Sequence, residues 1–191
     1  MSMLRKTSFL LFLLCLLFSL TNVAQRKSNL IYFDDQPDLS WKNFKAKANK
    51  RSNYQALTYS GLELSMQFDA DGIRISTYAI FKPRESWTKN KKSAYLLNHE
   101  QQHFNLSELY ARKFREALSI HSFKKSGADR FKEIQTLYKS FYSQMEKQQK
   151  KYDKESEHSK NKDQQEKWNQ FIQGELLELK NFNDTETTVP F

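Results

Sequence analysis

The chain has 191 residues, 38% of them hydrophobic and 14% aromatic, enough apolar surface for the core of one ordinary domain. With 4 Gly and 3 Pro it is neither collagen-like nor low-complexity, and it has few obligatory turns, which favours long helices over a many-stranded sandwich. A single Cys excludes an intramolecular disulfide and a cysteine-built zinc cluster, while 31 Lys+Arg against 22 Asp+Glu give a net charge of +9 that suits an anionic partner without naming one.

Arg5 and Lys6 precede an apolar run from Phe9 to Leu20, then polar Thr21 and Asn22 and small Ala24. This order predicts a secretory signal peptide over residues 1–24, cut after Ala24. The run is shorter than the ~20 residues of a comfortable membrane span. The expected mature chain is exported, periplasmic or extracellular, and its basic charge is then not a sign of nucleic-acid binding.

Leu30 to Phe33 predicts a short strand, and Pro37 and Asp38 turn the chain. Trp41 and Phe44, three apart, anchor the next turn, with Lys42, Lys45, Lys47, Lys50 and Arg51 around them and no acid nearby. Leu62, Leu64, Met66 and Phe68 alternate with polar residues. After Asp69–Gly72 the alternation resumes at Ile73, Ile75, Thr77, Ala79 and Phe81, which predicts a β-hairpin ended by Pro83.

The remainder reads as helical. Leu96, Leu97, Phe104, Tyr110, Phe114 and Leu118 recur at helical spacing between Lys91 and Ile120. Gly127 opens a second stretch through Tyr152, and Trp168, Phe171, Ile172, Leu176 and Leu179 mark a third. Polar residues 153–160 predict a loop or frayed junction, and 181–191 a flexible tail. The expectation is α+β: one domain over 25–180, with an antiparallel sheet part at 28–83 followed by long helices at 91–180.

One motif carries chemistry. His99-Glu100-Gln101-Gln102-His103 has the form H-E-x-x-H. On a helix, residues four apart lie about 40° apart on one face, so both imidazoles can reach one metal ion. Glu100 projects about 100° from His99 and stands beside the metal without binding it, placed to take a proton from activated water. Zinc suits such a site, because it accepts imidazole nitrogen and keeps a position open for water.

A third ligand is required, and the continuation H-x-x-G-x-x-H is absent, with Leu106 and Leu109 at those positions. His121 lies about 27 Å further along a straight helix and is out of reach. Glu108 points about 180° from His99 unless the helix breaks at a capping box starting at Asn105; otherwise its natural role is an i,i+4 pair with Arg112. His158 leads the remaining candidates, with Asp153, Glu155 and Glu157 as alternatives. Acids left over would accept the second ring N–H of the ligand histidines. Tyr152 and Tyr110 are candidate oxyanion stabilisers.

The run from Leu96 to Arg112 resembles the signature of the bacterial domain-of-unknown-function family 922, whose members are described as predicted secreted zinc-dependent proteases. The resemblance extends to Leu39–Phe44, to Tyr152–His158, and to Gln165 and Trp168. The chain departs from the pattern at Asn105, Ser156 and Ser159, where the family has an acid, Thr and Gly. The resemblance implies a zincin-like arrangement and adds weight to His158 as a ligand; it implies no substrate.

Two functions follow as expectations. The first is a secreted zinc metalloprotease, a hydrolase of peptide or protein substrates with Glu100 as general base. The alternative is a non-catalytic envelope-binding module whose basic surface holds anionic glycan or lipid.

Overall fold

The computed structural model describes residues 26–27, 29–123 and 127–191. The expected signal peptide lies outside the described residues. No helix among them is long and apolar enough to cross a membrane.

The architecture is α+β. An antiparallel sheet forms around a hairpin, and three helices follow in sequence. The hairpin strands are β3 (Ser60–Phe68) and β4 (Gly72–Phe81), in register from Ser60↔Phe81 to Phe68↔Ile73. The Asp69 carboxylate accepts the Asp71 and Gly72 N–H groups at 3.2 Å, so the turn residues close the loop themselves. The second edge of β4 pairs with the short β1 (Ile31–Tyr32) at one end and with β6 (Glu186–Pro190) at the other.

β6 is a departure from expectation, since residues 181–191 read as a loose tail. Val189 is buried against Ile73, Ile75 and Phe114, and Arg130 donates to the Pro190 carbonyl. The pairing explains Gly72. A Cβ at that position would lie 2.3 Å from the Val189 carbonyl oxygen, so β6 can approach only a glycine. A second pair also escaped the sequence pattern: β2 (Ala56–Leu57) with β5 (Trp87–Thr88), two residues each and too short to show a period.

The first helix, α1 (Ala94–Ile120), starts at Ser93, whose hydroxyl accepts the Leu96 N–H at 3.0 Å. It runs unbroken through Asn105. One side packs on the sheet through Phe104, Ala111, Phe114 and Leu118. The other buries Leu106 and Leu109 against Tyr152, Trp168 and Ile172, which come from α2 (Gly127–Glu155) and α3 (Lys162–Glu178). α2 also reaches the sheet, through Ile134, Tyr138 and Met145, so α1 and α2 lie side by side on it and α3 covers the far side of α1. Each fully buried Phe or Leu contributes about 1.5–3 kcal/mol. Because α1 is covered on both sides, the polar residues it buries must find partners on α1 itself or on the elements packed against it.

Arg115 illustrates that constraint. Only 2% exposed, it donates to Glu108 at 3.1 Å, to the Thr77 carbonyl of β4 at 2.7 Å and to the Phe182 carbonyl at 2.9 Å, and so ties α1 to the sheet and to the segment leading into β6.

Candidate metal centre

His99 and His103 lie one helical turn apart on α1, facing the last turn of α2. There Gln149, Tyr152 and Asp153, at i, i+3 and i+4, present one face to them. Asp153 Oδ1 sits 3.4 Å from His99 Nε2 and 3.1 Å from His103 Nε2. Among the described residues, these three form a group whose ligand atoms all lie within 4.8 Å of one another.

The second nitrogen of each ring is also held. Gln149 Oε1 accepts the His103 Nδ1–H at 2.5 Å, and the same amide donates back to the His103 carbonyl at 2.8 Å. Gln165 of α3, 1% exposed, accepts the His99 Nδ1–H at 2.9 Å. With each Nδ1 donating to an amide oxygen, each Nε2 is the atom turned toward Asp153: protonated it donates to the carboxylate, and neutral it offers its lone pair to a metal. These supports are amides, where the sequence led to an expectation of acids, and no local pattern marks either glutamine, since Gln149 is 46 and Gln165 is 66 residues from its partner.

Tyr152 forms the floor. It is buried, its ring stacks on His99 at 4.8 Å and meets His103 edge-on at 4.9 Å. Its hydroxyl donates to the His99 carbonyl at 3.1 Å and accepts from Gln165 Nε2 at 2.7 Å. Burial pushes its pKa far above the ordinary tyrosine value. With its hydroxyl spent in this way, Tyr152 is a support for His99 rather than a group facing a substrate oxyanion. Tyr110 is buried in the core, with the Lys113 ammonium over its ring.

The charges answer one another. Burial would raise the Asp153 pKa, but hydrogen bonds from His103 and His99 hold the carboxyl well below the usual carboxylate range. Burial likewise disfavours a charged His103, yet the Asp153 carboxylate outweighs it and raises the His103 pKa above its ordinary value.

The other expected ligands take different places. His158 Nδ1 lies 3.3 Å from Asp153 Oδ1, but its side chain is 42% exposed, its ring rests on Tyr54 with centroids 4.6 Å apart, and it is not a member of the His99–His103–Asp153 group. Glu155 accepts the Trp168 indole N–H at 3.0 Å, and Glu157 is exposed. Glu108 is held by Arg112 at 2.9 Å and Arg115 at 3.1 Å, on the far side of an unbroken helix. His121 pairs with Glu133.

Glu157, His158 and Ser159 have φ of 51°, 51° and 71°. Each left-handed residue without glycine costs about 1–2 kcal/mol. The turn is secured by the His158 N–H on the Asp153 carbonyl and the Asn161 N–H on the Ser156 carbonyl, both 2.9 Å. It reverses the chain so that α3 returns Gln165 to His99.

Glu100 is 3% exposed, and among the described residues no hydrogen bond or ion pair is made by its carboxylate. It lines a cleft of about 110 Å³ with His99, His103, Asp153, His158, Leu96 and the segment from Tyr54 to Thr58. The Thr58 hydroxyl, donating to the Glu100 carbonyl at 3.2 Å, fixes that segment over the helix.

The donor set fits zinc. Ligands about 2.0–2.1 Å from a tetrahedral ion stand roughly 3.3 Å from each other; the two His–Asp separations bracket that value, within a group that spans up to 4.8 Å. Paired imidazoles with capped second nitrogens and one carboxylate are a borderline-soft set that zinc accepts.

A family model described as "Bacterial protein of unknown function (DUF922)" matches residues 38–159. That span contains His99, Glu100, His103, Asp153 and His158 and stops before α3. No curated protein and no solved structure matches the chain. With well over half its length covered by the match, the chain belongs to the DUF922 family.

Proposed function

We propose that the protein is a zinc-dependent peptidase acting outside the cytoplasm. The observation that carries this reading is the convergence of His99 Nε2, His103 Nε2 and Asp153 Oδ1 beside the Glu100 carboxylate, which makes no hydrogen bond or ion pair among the described residues, at the floor of a cleft. His99, His103 and Asp153 would hold the ion. Zinc bound there supplies Lewis acidity, which polarises a carbonyl and acidifies water.

The chain's own residues do the rest. Gln149 and Gln165 fix the imidazole tautomers and aim. Glu100 takes the proton of the attacking water, holds it in a site shielded from bulk solvent, and delivers it to the departing amine. Leu96, Ala56 and Leu57 give the cleft an apolar wall on which a substrate side chain can rest. Export is supported by the sequence around Arg5, Lys6 and Ala24. A non-catalytic envelope module would draw on the basic surface, but it gives no reason for a buried Glu100 beside two capped histidines.

The test is peptide hydrolysis by the zinc-loaded protein, with Glu100→Gln as control. The variant should keep its zinc and lose activity by about 10²–10⁴-fold, the usual cost of a missing general base. Hydrolysis at the parent rate would show that Glu100 has no such role.

A further inference from the structure

The surface that continues one wall of the cleft, beyond the lining residues Tyr54 to Thr58, carries charge of a single sign. Between Asp38 and Glu63 the chain has no acid, and it has none between Glu85 and Glu100. These two stretches are knitted together. β2 pairs with β5, the Lys89 N–H donates to the Gln55 carbonyl at 2.7 Å, and the Ala46 N–H donates to the Ser86 carbonyl at 3.0 Å. The resulting wall bears Lys42, Lys45, Lys47, Lys50, Arg51, Lys89, Lys91 and Lys92, all exposed and, among the described residues, none in an ion pair.

The wall is continuous with the site. Tyr54, Gln55 and Leu57 line the cleft, the Tyr54 ring rests on His158, and the Lys89 ammonium donates to the Ser52 carbonyl at 2.5 Å, two residues before Tyr54. Lys91 and Lys92 precede the start of α1, whose first turn contains no acid, so the positive end of that helix adds to the same field.

The opposite rim differs. There Lys150, Lys151, Lys154, Lys160 and Lys162 are interspersed with Asp153, Glu155, Glu157 and Asp163, and Lys151 pairs with Glu155 at 3.8 Å. At the floor, the double charge of a zinc ion would be offset by Asp153 and Glu100. The wall therefore sets the potential that a substrate meets on approach.

We infer that the substrates of this site are acidic polypeptides, whose Asp and Glu side chains lie along the wall formed by residues 42–51 and 89–92 while the scissile bond reaches the cleft floor. The inference rests on the peptidase reading for its cleft and adds the substrate class. A polypeptide is favoured over a lipid surface because the cations flank a recessed cleft that an extended chain can enter and a bilayer plane cannot. Exposed Tyr54 and Leu57 stand between the cations and the floor, so apolar residues are expected between the acids and the cleaved bond. Because the cations are solvent-exposed, the preference should weaken as salt shortens the screening length below about 8 Å.

Binding and cleavage are measured separately. The zinc-loaded, full-length Glu100→Gln protein is titrated with a short fluorescein-labelled peptide in which Asp and Glu alternate with Ala and Leu, and with its counterpart carrying Asn and Gln in their place. The acidic peptide should bind about tenfold more tightly. A Lys50→Glu/Arg51→Glu/Lys89→Glu variant should lose that preference. A Lys132→Glu/Lys139→Glu/Lys167→Glu variant, with the same change in net charge, should keep it. Equal binding of the two peptides, or a preference surviving the wall substitutions, would overturn the inference. So would binding to phosphatidylglycerol vesicles that the wall substitutions abolish, if the two peptides are not distinguished. If the preference appears and is lost as expected, yet the zinc-loaded parent cuts neither peptide, acid-selective docking stands and the peptidase reading fails.

Discussion

The side-chain oxygen of Gln165 accepts the Nδ1–H of His99 at 2.9 Å, although Gln165 lies beyond residue 159, where the family match ends. The group that orients one of the two motif histidines thus comes from α3, and the same amide also holds Tyr152 against the back of that imidazole. The site is finished only when the third helix has docked.

Gln165→Leu should therefore lower zinc affinity by about 10–100-fold, the usual cost of losing the partner of a ligand histidine. Gln165→Glu keeps an acceptor at the same distance and should retain most of the affinity. Competition with a chelating dye measures both. Parent-like affinity in Gln165→Leu would mean that packing on Tyr152 alone positions His99.

The third ligand can be assigned by a pair of variants. Asp153→Ala should weaken zinc binding as severely as His103→Ala, by more than the ~100-fold that a supporting contact can cost. His158→Ala should stay within about tenfold of the parent, since His158 touches the site through Asp153. The opposite ranking, measured by metal titration, would make His158 the ligand and Asp153 its support.

Acidity should act in opposite directions on the two forms of the protein. Without metal, His103 has a raised pKa in the folded state, so its pairing stabilises fully below the unfolded value and is lost as pH rises through the folded one. Asp153 has a lowered pKa, so its contribution is present above the unfolded carboxylate value and fades only in stronger acid. The metal-free protein should accordingly show its highest melting temperature between about pH 4 and 6.5 as far as this pair is concerned, and lose stability as pH rises above that window. The zinc-loaded protein should instead gain stability from pH 5 to about 7.5, because protons compete with the ion for both Nε2 atoms. Asp153→Asn should flatten the metal-free profile. An unchanged profile in that variant would place the dependence elsewhere.

Gly72→Ala should destabilise the protein by about 1–3 kcal/mol through overpacking against the Val189 carbonyl. The added methyl pushes β6 off the sheet, so cleavage of residues 186–191 by a nonspecific protease should accelerate along with the loss in chemical denaturation. If β6 stays protected in the variant, the strand must shift sideways at little cost.

What the amino-acid order determines by itself is local. The alternation on either side of Asp69–Gly72 makes the hairpin, because the turn residues bond to their own backbone and the strands follow at once. The four-residue spacing of His99 and His103 puts both rings on one face wherever α1 forms, and Glu108 faces Arg112 for the same reason. Whether the helix breaks or continues at Asn105 stays open in the sequence, where a capping-box pattern competes with the helical period, and the structure runs α1 straight through it. Contacts across long separations follow no such period. Asp153 rather than His158 meets both imidazoles because the last turn of α2 arrives with its Gln149–Tyr152–Asp153 face inward, and that angle is set by how α2 packs on α1 and the sheet. Gln165 reaches His99 because three left-handed residues reverse the chain. The Glu186–Pro190 strand forms because β4 has a free edge and a glycine opposite Pro190, neither of which residues 186–190 reveal. Tertiary packing decided these, since each depends on two distant segments whose separate patterns carry no record of their meeting.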